Sequence, residues 1–207
     1  MASPKITVLM TVYNGTAYLE EAIKSVLVQS SGDFEFLIID DGSVDRSVQL
    51  IRHCKDPRIR LVVNEKNIGQ AASLNRGLAM ARGRYVARLD QDDVCLPERL
   101  RVEAEVMDRR PDVAIVCTWE YSIDAKGRRI RRWTAQVDGF GEYLGMLLLG
   151  LCPVWHPSAM FRRDVVQELG GYDPSFAPAE DYELWTRLAR ARWAGAIVSE
   201  FLLLQRV

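Results

Sequence analysis

No glycine-rich phosphate loop occurs in these 207 residues: neither G-x-G-x-x-G nor G-x-x-x-x-G-K-[ST] is present. That excludes the common dinucleotide and P-loop cradles, in which glycine lets backbone N–H groups close on phosphate. Histidine is scarce. With only His53 and His156, a three-histidine zinc site cannot be built. The four cysteines (54, 95, 117 and 152) are scattered without a Cys-x-x-Cys pair, so reduced thiols in or near the core are expected rather than disulfides or zinc. Any metal would then be held by carboxylates, as magnesium or manganese is. No large charge excess exists either: a formal net charge of -1 and a pI near 6.2 argue against nucleic acid as a partner. The longest apolar run, "MLLLGLCPVW" from Met146, is far short of the roughly 20 residues that span a bilayer. "MASPKITVLMTVYN" lacks the features of a signal peptide, which makes a soluble, cytoplasmic chain the expectation.

What is present alternates. "KITVLM" is a β-branched apolar run, punctuated by Asn14-Gly15. From Thr16 onward, Leu19, Ala22, Ile23, Val26 and Leu27 share one helical face. "FEFLIID" is a second strand, and Ser43 is placed to cap a helix through Val44, Val48 and Ile51. "IRLVVN" is a third strand, "GQAASLNRGLAMARG" a helix ended by Gly83, and "RYVARLD" a fourth strand. Pro97 suits the first turn of the next helix. This rhythm predicts an α/β fold with a mostly parallel central sheet flanked by helices. After about residue 112 the pattern changes to "VAIVCTW", a turn at "DAKGRRIRRW", an apolar helix "GEYLGMLLLGL", a short strand "SAMFRR" and a helix "AEDYELWTRLARA". That half reads as α+β material laid over one end of the sheet. No linker separates the halves, so a single domain over 1–207 is expected.

In an open α/β sheet the ligand crevice lies beyond the carboxyl ends of the strands. Three segments fall there: Thr11-Val12-Tyr13-Asn14, Asp40-Asp41, and Asp90-Gln91-Asp92-Asp93. Aspartates after a strand also make turns and cap helices. Their recurrence on successive strand ends points instead to half of a metal site, with the other half arriving as a substrate diphosphate.

The stretches "PKITVLMTVYNGTAYLEEAIKSVLVQS", "FEFLIIDDGSVDRS", "DPRIRLVVNEKNIGQAASLNRGLAMARGRYVARLDQDD", "LPERL", "HPSAMFRR" and "GGYDPSFAPAEDYELWTRLA" cover nearly the whole chain. In content and order they resemble the family 2 glycosyltransferases of the GT-A fold, a Rossmann-like architecture. The resemblance implies an inverting transfer of a sugar from a nucleotide diphosphate sugar, most often a UDP-sugar, to a hydroxyl of a saccharide or lipid-linked saccharide, as in glycan biosynthesis. Residues 1–95 would be the nucleotide-sugar half and 96–207 the acceptor half. Thr11, Val12, Tyr13 and Asn14 would line the base and ribose pocket, with Asp40 or Asp41 accepting a hydrogen bond from the base. Asn67 and Gly69 to Asn75 would form the other wall. In the DXD-type segment Asp90-Gln91-Asp92, Asp90 would contact the ribose and Asp92 would ligate Mn2+ or Mg2+.

By the same resemblance Asp181 is the general base and Glu180 positions the acceptor, although two acids opening a helix also simply complement its dipole. A helix N-terminus lowers a carboxyl pKa, which would make Asp181 a weak base. His156 and Trp155 are acceptor-side candidates, and both have a structural alternative, as has Tyr182. The run from Lys126 to Arg132 holds five cations in seven residues. It is either a solvated hairpin or a contact for anionic lipid or a diphosphate-linked acceptor, so peripheral association with the inner membrane face stays open. In the family, the strand ending in "FLLLQRV" continues past the Arg-Val pair to a histidine, so further segments are expected to complete the site. Two other readings remain: a nucleotide-sugar binding module without catalysis, and a sugar-1-phosphate nucleotidyltransferase. The second would want cations just after strand one, and "TVYNGTAY" has none.

Overall fold

A computed structural model describes residues 3–207; Met1 and Ala2, part of the single-domain expectation, lie outside the described residues. The first half runs β1 (Ile6–Val12), α1 (Leu19–Leu27), β2 (Phe34–Asp40), α2 (Ser47–His53), β3 (Ile59–Val63), α3 (Gln70–Met80) and β4 (Tyr85–Arg88). A two-residue β5 (Val94–Cys95) precedes α4 (Arg99–Arg109) and the long β6 (Val113–Ile123). Then come β7 (Arg129–Trp133), β8 (Asp138–Gly139), α5 (Phe140–Leu148) and β9 (Met160–Arg162). The chain closes with α6 (Arg163–Glu168), α7 (Glu180–Arg190) and β10 (Ala194–Arg206).

All of these strands join one sheet, ordered β3-β2-β1-β4-β9-β6-β10-β5, with β7 on β6 and β8 on β10. The first four are parallel, β9 runs against β4 and β6, and β10 is again parallel to β6. The sheet is thus largely parallel, as the alternating pattern predicts. The second half is not simply laid over its end: β6, β9 and β10 extend the sheet itself.

The alternation along β1 feeds two cores. Ile6, Val8, Met10 and Val12 point to the layer of α1, α2 and α4, where Leu19, Ile23, Val26, Ile51, Leu100 and Met107 are buried. Leu9, with Leu37 and Ile39 of β2, faces the layer of α3, α5, α6 and α7. At about 1.5–3 kcal/mol per fully buried large aliphatic side chain, these two layers dominate the favourable side of folding.

Helix starts differ from the sequence reading. Ser43 does not cap α2, which begins at Ser47 with Arg46 before it; its hydroxyl instead accepts the Asn14 N–H at 2.9 Å. α1 starts at Leu19 rather than Thr16, and Pro97 lies two residues ahead of α4. α3 ends at Met80; a Cβ on Gly83 would stand 2.3 Å from the Thr7 nitrogen, so that glycine serves the close passage beside β1. The four cysteines are free thiols, as expected. Among the described residues no helix is long and apolar enough to cross a membrane.

Candidate functional site

The parallel register of β2, β1 and β4 brings their carboxyl ends together, and a cleft of about 410 Å³ opens there. Thr11, Val12, Tyr13, Asp41, Asn67, Gly69, Gln70, Asp90, Gln91 and Asp92 line it. A second cleft of about 390 Å³ is lined by Trp155, His156, Glu180 and Asp181, among others. The two share Gln70 and Asp90. Asp92 therefore lies on one side of a common boundary and Asp181 on the other.

Each loop is built by specific bonds. Asn14, at a φ of +50°, donates its N–H to the Ser43 hydroxyl and accepts the Val44 N–H at 3.0 Å on its side-chain oxygen. It ties the β1 loop to the β2 loop and does not line the cleft. Of the Asp40/Asp41 pair, only Asp41 borders the cleft. Its carboxylate accepts from Asn64 Nδ2 at 2.7 Å and from the N–H groups of Ile68 and Gly69 at 2.9 Å, which shapes the 64–69 turn. Asp40 accepts the Ser43 N–H at 3.0 Å on one oxygen; the other is buried without a partner among the described residues. Asn75 points away from the cleft. Its amide bonds the backbone of Tyr172 in both directions, at 2.7 and 2.8 Å, and fastens α3 to the 170–172 turn.

Gln91 lines the cleft and also spans to Tyr13, accepting its N–H at 2.9 Å and donating to its carbonyl at 3.3 Å. It imitates a strand partner for a segment that has left the sheet. Gly15 leaves room for it: a Cβ there would sit 2.4 Å from the Gln91 Oε1 and push that amide off Tyr13.

The acidic cluster contains a cation that the sequence reading passed over. Arg88, the last residue of β4, is fully buried and bonds Asp90 at 2.5 Å. Its remaining N–H groups reach the carbonyls of Leu9 and Leu89, at 3.3 and 2.9 Å, and His156 Nε2 at 3.1 Å. The signal was legible: a charged residue inside the apolar run "RYVARLD" must have partners nearby. Burial acts to raise the Asp90 pKa, but the Arg88 guanidinium outweighs it and holds the carboxyl below its usual range. Asp92 is shifted the other way, upward, by burial and then by the Asp90 charge. Asp93, buried and accepting the Arg206 N–H at 2.8 Å, is pushed up to about 8 by burial. Arg206 also donates to the Asp92 carbonyl at 3.0 Å and to Glu21 at 2.6 Å, so the end of β10 clamps the acidic turn.

In the second cleft, His156 Nε2 also faces the Tyr172 hydroxyl at 3.0 Å. Burial and then Arg88 depress its pKa to about 3, so the ring is neutral and is engaged by Arg88 and Tyr172. Trp155 packs its ring 6.4 Å from that of Trp133. Tyr182 donates its hydroxyl to the Leu147 carbonyl at 2.9 Å. Glu180 and Asp181 open α7. The Oε2 of Glu180 is buried and has no partner among the described residues. The Asp181 pKa is raised rather than lowered: burial, reinforced by Glu180, overcomes the Tyr182 N–H bond at the helix start. The expectation of a weakened base, argued from the helix terminus alone, is thereby reversed.

Among the described residues no group of three or more His, Cys, Asp or Glu side chains converges on one point. Asp92 nonetheless fits one end of a shared coordination shell. Its carboxylate borders the cleft and takes no side-chain bond, and a hard divalent ion commonly uses one or two carboxylates plus water and substrate phosphates.

Residues 7–170 match the family described as Glycosyl transferase family 2. Over 211 aligned residues the chain is 33% identical to an uncharacterised glycosyltransferase of Methanocaldococcus jannaschii, covering all of this chain and 72% of that one. It is 31% identical to a Bacillus subtilis protein described as the putative glycosyltransferase EpsE, covering 97% of this chain and 72% of that one. It spans only 32% of two Rickettsia relatives. S. aureus TarS 1–349, solved with UDP, superposes with a TM-score of 0.81 at 19% identity, over 98% of this chain and 60% of that one. A Pyrobaculum calidifontis mannosyltransferase, solved with GDP-Man and Mn2+, gives 0.75 at 20% identity, over 99% and 57%. The fold is that of these GT-A proteins.

Proposed function

The chain belongs to glycosyl transferase family 2, and from that premise we propose that it transfers a sugar, with inversion, from a UDP-sugar to a saccharide or lipid-linked saccharide hydroxyl. The observation that carries this reading is the pair of clefts meeting at Asp90 and Gln70. A donor in the first would present its anomeric carbon towards an acceptor in the second. Tyr13, 45% exposed, offers a face for the base. Thr11, Val12, Asp41, Asn67 and Gly69 complete that pocket, while Asp90, fixed by Arg88, addresses the ribose. Asn14, Gln91 and Asn75 act on the donor indirectly, by holding the loops that line its pocket.

Asp92 would hold Mn2+ or Mg2+ against the diphosphate, where the ion supplies charge neutralisation for the leaving group. On the acceptor side, the hydroxyl oxygen attacks the anomeric carbon opposite the diphosphate. The new C–O bond takes the oxygen's electron pair, the old one leaves with the diphosphate, and the hydroxyl proton passes to Asp181. The raised Asp181 pKa makes it a stronger base than an ordinary aspartate. Glu180, whose Oε2 is buried without a partner among the described residues, lies in the wall of the second cleft beside Asp181 and would position the acceptor there. Trp155 offers a ring for stacking, and His156 stays a neutral strut beneath Asp90. Residence at the inner membrane face would suit a lipid-linked acceptor.

Asp181→Asn is the test. Removing a positioned base costs about 10²–10⁴ in rate, while donor binding in the first cleft should persist. Thermal stabilisation by UDP-sugars with manganese, cancelled by a chelator, reads the binding. Turnover at the parental rate in that variant would refute Asp181 as the base.

A further inference from the structure

Leu148, Leu149 and Leu151 are 78%, 77% and 51% exposed, on one tight turn at the end of α5. That turn is held in place: Gly150, at a φ of +72°, donates to the Leu147 carbonyl at 3.0 Å, and Leu151 donates to that of Met146 at 2.9 Å. Scattered exposed leucines need no explanation, but three on one rigid turn do. The turn runs on to Trp155, which lies within about 14 Å of Leu151 by chain reach alone. Trp155 packs against Trp133 of β7, and the Arg131 guanidinium lies 3.8 Å above the Trp133 ring. The leucine turn and the cationic strand therefore flank one aromatic pair.

Lys126, Arg129, Arg131 and Arg132 are exposed and, among the described residues, make no ion pair; only Arg128 has an acidic partner, Asp124. Arg129 lies 4.2 Å over the Tyr121 ring. No acidic residue occurs between 125 and 137 or between 143 and 163. Arg131 and Trp133 project from one side of β7, and Arg129 and Arg132 from the Tyr121 side, so the cations fringe an edge strand rather than fill one face of the sheet. Apolar side chains, interfacial tryptophans and unopposed cations along one edge are what an anionic bilayer surface takes up. A second copy docking through the same face would set these cations against each other.

We propose that this edge of the molecule, β7 with the leucine turn after α5, docks the protein on an anionic lipid bilayer. The leucines enter the headgroup boundary while Lys126, Arg129, Arg131 and Arg132 meet lipid phosphates. The second cleft, lined by Cys152 and Trp155, then opens beside the membrane. Docking itself does not depend on the transfer reaction.

Flotation of the full chain with phosphatidylcholine vesicles, and with equal phosphatidylcholine and phosphatidylglycerol, tests this. The protein should float with the anionic vesicles alone, and added salt should release it. At roughly fivefold in partition per cation near the surface, Arg131→Gln with Arg132→Gln should lower binding by roughly twentyfold or more. Leu148→Ser, Leu149→Ser and Leu151→Ser together should weaken it as well, with the melting temperature kept because these side chains are exposed. The proposal is overturned if the parent ignores anionic vesicles at low salt, or if the leucine variant floats like the parent. It is equally overturned if the leucine changes merely dissolve a dimer, seen by light scattering, or if only an acidic protein is bound. Stabilisation by UDP, read on the same samples, separates this outcome from the donor assignment, since either can fail while the other stands.

Discussion

Glu120 lies mid-strand in β6, between Leu203 of β10 and Trp133 of β7, fully buried, and neither carboxylate oxygen has a partner among the described residues. Burial pushes its pKa from 4.5 up to about 7; Arg99 opposes the shift and Asp90 adds to it. In the unfolded chain the same carboxyl ionises near its ordinary value. As pH rises, the unfolded state therefore sheds its proton first, and stability present below the unfolded pKa is lost on the way to the folded one. The rise from 4.5 to about 7 corresponds to about 3 kcal/mol, since a tenfold change in an equilibrium constant is worth roughly 1.4 kcal/mol. Glu120→Gln keeps the shape and cannot ionise. Urea denaturation with chelator present should find the variant close to the parent at about pH 4 and more stable by about 3 kcal/mol at about pH 8. If the gap between the two proteins does not widen with pH, Glu120 is not the buried, unpaired acid described above.

Gln91→Ala removes both bonds to Tyr13 and frees the loop after β1. At about 1 kcal/mol net per hydrogen bond, UDP affinity by calorimetry should fall about tenfold or more, with the melting temperature little changed. Unchanged affinity would mean that the loop holds itself. Arg206→Met unties the Asp92 turn from β10, α1 and the Asp124 carbonyl. The side chain is 5% exposed, so a loss of about 2–4 kcal/mol is expected. The added stabilisation by manganese with UDP should shrink as well. An intact manganese effect would show that Asp92 needs no clamp.

What the sequence disclosed depended on the range of the interaction involved. β2 was legible to the residue, because "FEFLIID" is buried on both faces and therefore continuous in character. The three strand ends that meet at the cleft follow from parallel order alone. The role of Gln91 in the middle of the DXD-type segment is not legible locally, because its partner, Tyr13, lies 78 residues away and is set by the register of β4 on β1. The resemblance puts Asn75 in the donor wall, but its side chain is bonded to the Tyr172 backbone and does not line the cleft. The sign of the Asp181 shift is illegible for a related reason: a helix terminus can be read locally, whereas burial beside the 152–157 segment cannot.

The crowding of Asp90, Asp92 and Asp93 resolves into three different environments within four residues. Asp90 is bound to a buried guanidinium that cannot lose its charge, and is held ionised. Asp93 is buried beneath the Arg206 backbone and favours its neutral form. Of the three, Asp92 alone combines a place in the cleft wall with a carboxylate that, among the described residues, takes no side-chain bond and is not paired to a cation. Its upward shift, from burial and the Asp90 charge, means that ionised Asp92 stands in a field that a cation relieves. Groups in one short segment driven to opposite pKa shifts mark divided roles. Here one carboxylate is pinned by protein charge and one is buried, which leaves Asp92 as the one that, in the proposed reaction, would share a divalent ion with the donor diphosphate. That division also predicts which substitution is selective: Asp92→Asn should abolish the manganese contribution to UDP binding, whereas Asp93→Asn should leave it in place.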